Sequence, residues 1–249
     1  MRRIGTLRIP TAGTQASKVH WRGSSGAVGN FGGSEVVSTC VSYYVRIISG
    51  GALSRPLEIR TAAIKLFYQR GYNATSLKEI GDVVQLRAPS LYNHIDSKQK
   101  LLQEIMFDGI DALTKDFDAA VAESDDVVEQ IRLGAEALVR HNIRRQQQAY
   151  VNTYEIPSLE EPARTELIQQ RRAYIDRWAA LITRAVTEGA AFAPEPMLAA
   201  FNIIDMIAGL ARWYRPDGRW SEDFLVTHYG RLALAILNAR DKSAAVTRG

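Results

Sequence analysis

From Ser54 to about residue 239 the apolar residues recur at intervals of three and four, and no alternating apolar–polar run interrupts them. Side chains three and four apart share one face of a helix, whereas a half-buried strand needs a period of two. That span is therefore restricted to an all-α fold. Ile59, Ala62, Ala63, Leu66 and Phe67 make the first apolar face, and Gly71 is placed to end it as a C-cap. Thr75 or Ser76 caps a second helix carrying Leu77, Ile80 and Val83/Val84. A short third helix, about 88–94, opens at Ala88-Pro89, where proline suits the first turn. Asp96 or Ser97 caps a fourth, running to about residue 120, with Gln99 three residues after Asp96 as a capping-box partner. Further helices are expected over about 125–150, 162–188, 195–214 and 221–239, separated by Pro157 and Pro162, by Gly189 and by the turn Arg215-Pro216-Asp217-Gly218.

Residues 1–53 differ from the rest. They hold 9 of the 18 glycines and a single acid, with linker composition around Ser24-Ser25-Gly26 and Gly32-Gly33-Ser34. Such a stretch buries too little apolar area to offset its ordering entropy, so a mostly disordered extension is expected. Its exception is 36–48, rich in Val, Ile and Tyr, which suits a short strand without a partner. A DNA-binding basic arm is the alternative, and translation from an upstream start codon a third. Residues 241–249 are read as a tail.

The charge is unevenly spread. Residues 1–53 carry +5 and 54–104 carry +3, while 105–249 carry −4, within a net +4 for 249 residues. A small basic segment before a larger acidic one suits a nucleic-acid reader joined to a domain with another task. Cys40 is the single cysteine, and His20, His94, His141 and His228 include no i,i+3 or i,i+4 pair. A disulfide framework and a helical metal site are excluded on those grounds. No run of about 18 apolar residues is present, and Met1-Arg2-Arg3 leads into no secretory pattern, so no membrane association is expected.

The chemistry is concentrated in 75–98, T-S-L-K-E-I-G-D-V-V-Q-L-R-A-P-S-L-Y-N-H-I-D-S-K. A capped helix, a short turn and a second short helix make a helix-turn-helix. Ile80, Gly81, Val84, Leu86 and Leu91 let the pair pack closely. The second helix then presents Arg87, Ser90, Tyr92, Asn93 and His94, each able to donate a hydrogen bond and none acidic. A helix entering the DNA major groove needs that chemistry.

Residues 55–102 resemble the DNA-binding domain of the tetracycline-repressor (TetR/AcrR) family of bacterial transcription regulators. The likeness is carried by A-x-x-L-F-x-x-x-G-Y-x-A-T-S over 63–76, I-G-D-V-V from Ile80, and S-L-Y-N-H-I-D-S-K-Q-K-L-L over 90–102. It implies a three-helix DNA-binding domain over 54–104 and a helical ligand-binding and dimerisation bundle over 105–240. Gln85 departs from the family, which commonly has glycine in that turn, where a left-handed backbone eases the bend. The DNA-contacting set expected is Thr75, Ser76, Arg87, Ser90, Tyr92, Asn93, His94 and Lys98. Tyr92 is matched to a phosphate contact. Lys98 adds its ammonium to a helix N-terminus, and the 75–76 cap offers backbone N–H groups. His94 packing on the fourth helix, and Thr75 and Ser76 serving as caps alone, are the competing readings.

In the larger half, Arg140, Arg144 and Arg145, with Arg171 and Arg172, form either a solvated basic face or the mouth of an anion site. Tyr150, Tyr154, Trp178, Phe201 and Trp213 either line a cavity or build core. Asn202 and Asp205 interrupt an apolar face. The stretch 211–218, A-R-W-Y-R-P-D-G, is similar to one in regulators of fatty-acid and steroid breakdown that sense acyl-coenzyme A esters. The expected ligand set is Arg140, Arg144, Arg145, Tyr150, Tyr154, Arg171, Trp178 and Trp213. The resemblance implies a cytoplasmic, nucleoid-associated bacterial homodimer. It would bind a palindromic double-stranded DNA operator and be released by an amphipathic or anionic effector such as an acyl-coenzyme A ester, with no cofactor and no metal. An activator and a ligand-independent regulator remain open within the family. An ester-binding enzyme is remote, because no phosphate loop, metal spacing or nucleophile context is present.

Overall fold

The computed structural model describes residues 54–239. The expected disordered extension over 1–53, its 36–48 strand and the tail lie outside the described residues. Among the described residues every regular element is helical, and residues 55–239 belong to one compact unit. No helix there is long and apolar enough to cross a membrane.

Helix α1 (Arg55–Arg70) buries the five apolar residues read from the sequence. It stops because Gly71 takes φ +82°, with its N–H on Phe67 O at 2.9 Å. Helices α2 (Leu77–Val83) and α3 (Ala88–Tyr92) follow. Ser97 then caps α4 (Lys98–Val121), accepting from Lys100 N at 3.0 Å. Gln99 forms no capping box with Asp96. Its amide instead donates to Ser158 O at 2.8 Å, in the connector ahead of α7. The boundary expected between 104 and 105 falls inside α4, which runs through it unbroken.

Helix α5 (Val127–Arg144) is capped by Asp126, which accepts from Val128 N and Glu129 N at 3.0 Å each. The single helix expected over 125–150 is broken at Arg145, whose φ −113° and ψ 32° leave the helical region before α6 (Gln146–Tyr154). The cause is tertiary. Turning there lets Gln148 Nε2 donate to Ile105 O and Asn152 Nδ2 to Met106 O, both at 2.9 Å, so α6 is bonded to the flank of α4. Gly109 makes room, because a Cβ there would collide with the Asn152 amide.

A 3₁₀ turn (Ile156–Ser158) leads to α7 (Ala163–Thr187), which ends near Gly189 at φ +68°. The helix expected over 195–214 is likewise divided, into α8 (Pro196–Ala208) and α9 (Leu210–Trp213), at Gly209. Ser221 caps α10 (Glu222–Ile236). Helix α5 is central and packs against α4, α7, α8 and α10. Beneath it Trp178 of α7 is fully buried, 4.8 Å from the Phe117 ring of α4. Truncating a buried aromatic of this kind costs about 3–5 kcal/mol, so this contact fixes the far end of α4.

Candidate nucleic-acid interface

Ser76, rather than Thr75, caps α2. Its Oγ accepts from Glu79 N at 3.2 Å, and Glu79 Oε2 accepts from Ser76 N at 2.8 Å. The bonds that Ser76 N and Ser76 Oγ each donate to Glu79 Oε2 at 2.8 Å, with Arg70 at 2.8 Å adding its charge, hold the Glu79 carboxyl below the usual range. The turn closes tightly, with Val84 N on Ile80 O at 3.2 Å and Leu86 N on Gly81 O at 2.9 Å. A Cβ on Gly81 would lie 2.9 Å from Leu86 O, so the chain reversal needs glycine there. Gln85 takes the left-handed conformation, φ +56°. The bend that glycine usually serves is therefore made with a glutamine.

That turn sets the roll of α3. Leu91 faces inward and is buried, as are Ile80 and Ile95. Arg87, Ser90, Tyr92, Asn93 and His94 all face solvent, and Tyr92 is 58% exposed. Among the described residues none of these five side chains bonds to another protein group. They form one polar, donor-rich, acid-free surface, and the structure brings all five together.

Thr75 and Lys98 are placed differently from the expectation. Thr75 is 2% exposed, and its hydroxyl donates to Gly71 O at 2.9 Å. The Lys98 ammonium donates to Tyr72 O at 3.1 Å and Thr75 O at 2.8 Å. It also lies 4.1 Å from the centroid of the Tyr72 ring. Both side chains brace the α1–α2 turn, because that turn leaves carbonyls needing donors. Ser76 remains exposed at the mouth of α2.

None of the eight residues expected to hold a ligand lines the α4–α7 cleft, and most are engaged within the protein. Arg140 pairs with Glu136 at 3.3 Å, and Arg144 reaches Glu222 of α10 at 2.8 Å. Arg145 is exposed at the α5–α6 break. Tyr150 packs on Tyr154 and, edge-on, on Tyr68 of α1. Arg171 donates to Asn152 O at 3.0 Å, and its burial lowers its pKa, with Asp205 opposing. Trp178 is core, and Trp213 sits edge-on to Trp220 near the surface. Sequence spacing places residues on a helix face but not around a shared void.

A different group of residues encloses space. An open cleft of about 430 Å³ lies between α4 and α7, lined by Phe107, Asp108, Ile110, Asp111 and Thr114 on one side and Gln170, Ala173, Tyr174 and Arg177 on the other. Tyr174 is buried, and its hydroxyl lies by the Trp178 indole N–H without a hydrogen bond of good geometry between them. Burial first, opposed by Trp178 and reinforced by Asp118 and Asp116, pushes that phenol well above its usual range. Asp108, on the same cleft, pairs with Arg60 of α1. Tyr174 lies seven residues after Leu167 and seven before Leu181, the spacing of an ordinary core position.

Comparison with known proteins agrees with this architecture. Residues 59–105 match the family model described as bacterial regulatory proteins, tetR family, and 124–237 match the tetracyclin repressor-like C-terminal domain. The HTH-type transcriptional repressor KstR2 of Rhodococcus jostii (strain RHA1) is 28% identical over 192 residues, covering 75% of this chain and 92% of that protein. A bacterial regulatory protein in the tetR family from Rhodococcus RHA1 superposes with a TM-score of 0.71 at 23% identity, over 76% of this chain and all of that one. AibR in complex with isovaleryl coenzyme A and operator DNA superposes with a TM-score of 0.68, also at 23% identity, over 75% of this chain and 100% of that one. With both halves matched in order and an exposed reading helix on a tight turn, the chain belongs to the TetR family of bacterial regulatory proteins and is a DNA-binding transcription regulator, not an enzyme.

Proposed function

We propose that this chain is a homodimeric transcriptional repressor, released from a palindromic operator when an acyl-coenzyme A ester binds its helical body. The observation that carries the DNA-reading half is the five-residue polar face of α3, unengaged by the rest of the described chain. Arg87 is suited to a phosphate or a guanine edge, Tyr92 and Ser90 to phosphate, and Asn93 and His94 to base edges or phosphate. Ser76 presents the N-terminus of α2 beside them.

Dimerisation is supported by apolar side chains left exposed on two neighbouring helices, Leu198 and Phe201 on α8 and Phe224 and Ile236 on α10. Pairing these helices between two copies makes a four-helix bundle and sets two reading helices a helical turn of DNA apart. The acyl ester is supported by the KstR2 likeness and by the coenzyme A ester in the AibR complex. In this chain the α4–α7 cleft receives the acyl part. Phe107 and Ile110 supply apolar wall, and Arg177, held by Asp118 at 3.2 Å, a cation at the mouth.

Fluorescence anisotropy on the chain's own upstream region tests the reading. Specific binding that isovaleryl- or longer acyl-coenzyme A reverses is the expected result. At a hundred times its dissociation constant the ester stabilises the protein by about 2.7 kcal/mol, and free acids do not. Tyr92→Ala weakens binding across sequences, while Asn93→Ala relaxes preference at single positions. Sequence-blind binding by the wild type overturns the operator. Stabilisation by cationic compounds alone overturns the ester.

A further inference from the structure

The geometry points to a clasp: the connector 155–160, between α6 and α7, holds the α1–α2 turn and the first turn of α4 together, and so sets the angle at which the helix-turn-helix is presented. The inference rests on the DNA-binding reading and deepens it by assigning Glu155 and Gln99 as positioning residues that touch no DNA.

Glu155 ends α6, and its carboxylate is divided between two partners. Oε1 accepts from Tyr72 N at 3.1 Å, across 83 residues of sequence, and Oε2 accepts from Ser158 Oγ at 2.7 Å. Gln99 binds the same connector by both ends of its amide. Nε2 donates to Ser158 O at 2.8 Å, and Oε1 accepts from Glu160 N at 3.3 Å. The third side is closed by Lys98, which donates to Tyr72 O and Thr75 O. Connector, turn and α4 thus form a closed ring of bonds around Tyr72, a residue 5% exposed. Bonds to an ionised carboxylate are among the stronger ones, and a backbone N–H that loses its buried partner is costly. The ring has one well-defined arrangement on those grounds.

The same connector is the leading end of α7. Its residue Leu159 is buried, and Arg171 of α7 donates to Asn152 O of α6 at 3.0 Å. A shift of α7 against α4, the two walls of the cleft, therefore pulls on the residues that hold Tyr72 and Gln99. No part of this path needs the helix-turn-helix to touch a ligand. The clasp supplies the discrete element that a coupling between two sites requires.

The test uses the full chain with Glu155→Ala, Gln99→Ala and the conservative Glu155→Gln, which keeps an acceptor for Tyr72 N–H and a partner for Ser158. Operator anisotropy in a salt series is expected to show about 5-fold weaker binding for both alanine variants and recovery to within about twofold for Glu155→Gln. The slope against salt stays that of the wild type, because no phosphate contact is lost. Hydrogen exchange is expected to quicken in α2 for both alanine variants, although neither residue touches α2. Wild-type affinity in both alanine variants overturns the clasp, as does a flattened salt slope, which would make the residues DNA contacts. A wild type that binds no specific site overturns the repressor reading instead. The clasp is then decided by exchange alone, faster in α2 supporting it and unchanged refuting it.

Discussion

Gln85 occupies a left-handed backbone conformation, φ +56°, with its side chain in solvent and no side-chain bond among the described residues. An L-residue pays roughly 1–2 kcal/mol there, because its Cβ crowds the following carbonyl. Glycine pays nothing sterically, but its freer unfolded chain costs about 0.5–1 kcal/mol. Replacing Gln85 by glycine loses no contact, so the difference stands nearly alone, a net stabilisation of about 0.5–1 kcal/mol. In a chain of this size that raises the melting temperature by about 2–4 °C at the upper end. The assay is urea unfolding. The midpoint moves up at constant m, since the surface exposed on unfolding is unchanged. Gln85→Ala keeps the Cβ and stays within about 0.5 kcal/mol of wild type, which separates the backbone effect from loss of the side chain. Operator affinity is unaltered, because glycine adopts the same turn. A destabilised Gln85→Gly at constant m would falsify the assignment of strain to this position.

Gly81→Ala acts in the opposite sense. Its new Cβ meets the Leu86 carbonyl at 2.9 Å, and the expected loss is about 1–3 kcal/mol together with weaker operator binding; unchanged stability would show that the turn can open. His141 is buried with Nδ1 2.7 Å from Asp116 Oδ2, and burial lowers its pKa despite that carboxylate, with Arg145 lowering it further. The unfolded chain then takes up the proton more readily. The contribution of His141 is full above about pH 6.5 and is lost as pH falls through its lowered folded value. Urea midpoints at two pH values on either side should therefore fall less in His141→Gln than in the wild type, and an equal fall refutes the linkage. Phe224→Glu puts a charge on the exposed face of α10 and should turn a dimer into a monomer in sedimentation at micromolar concentration. A dimer that survives it places the interface elsewhere.

The DNA-facing half is largely legible in the sequence because its determinants are local. The Ile59–Phe67 spacing, the cap at 76 and the glycines at 71 and 81 act on neighbours within a few residues. What failed there was the fate of single side chains. Whether Lys98 points at phosphate or folds back on two carbonyls depends on where a turn 23 residues earlier leaves its oxygens. In the body, helix periods were legible but their interruptions were not. Arg145 is a good helix former, and α5 breaks there because α6 finds bonds on α4, which no local pattern encodes. The arginines and aromatics gathered as a ligand set stand on several faces of several helices. The cleft residues, Thr114 and Tyr174 among them, carry no sequence signature of shared space.

Helix α4 also acts as a measuring rod. Lys98 sits at its first turn, and Phe117, wedged against Tyr174 and Trp178, lies some 28 Å further on at about 1.5 Å per residue. With Phe117 as the fulcrum, a tilt of about 10° swings the first turn by about 5 Å, more than the rise of roughly 3.4 Å per base step. Two subunits tilting in mirrored fashion would displace the paired reading helices by nearly three steps against the fixed spacing of successive major grooves. A small angular change deep in the body is thus enough to put the protein out of register with a rigid duplex, without unfolding any part of the helix-turn-helix.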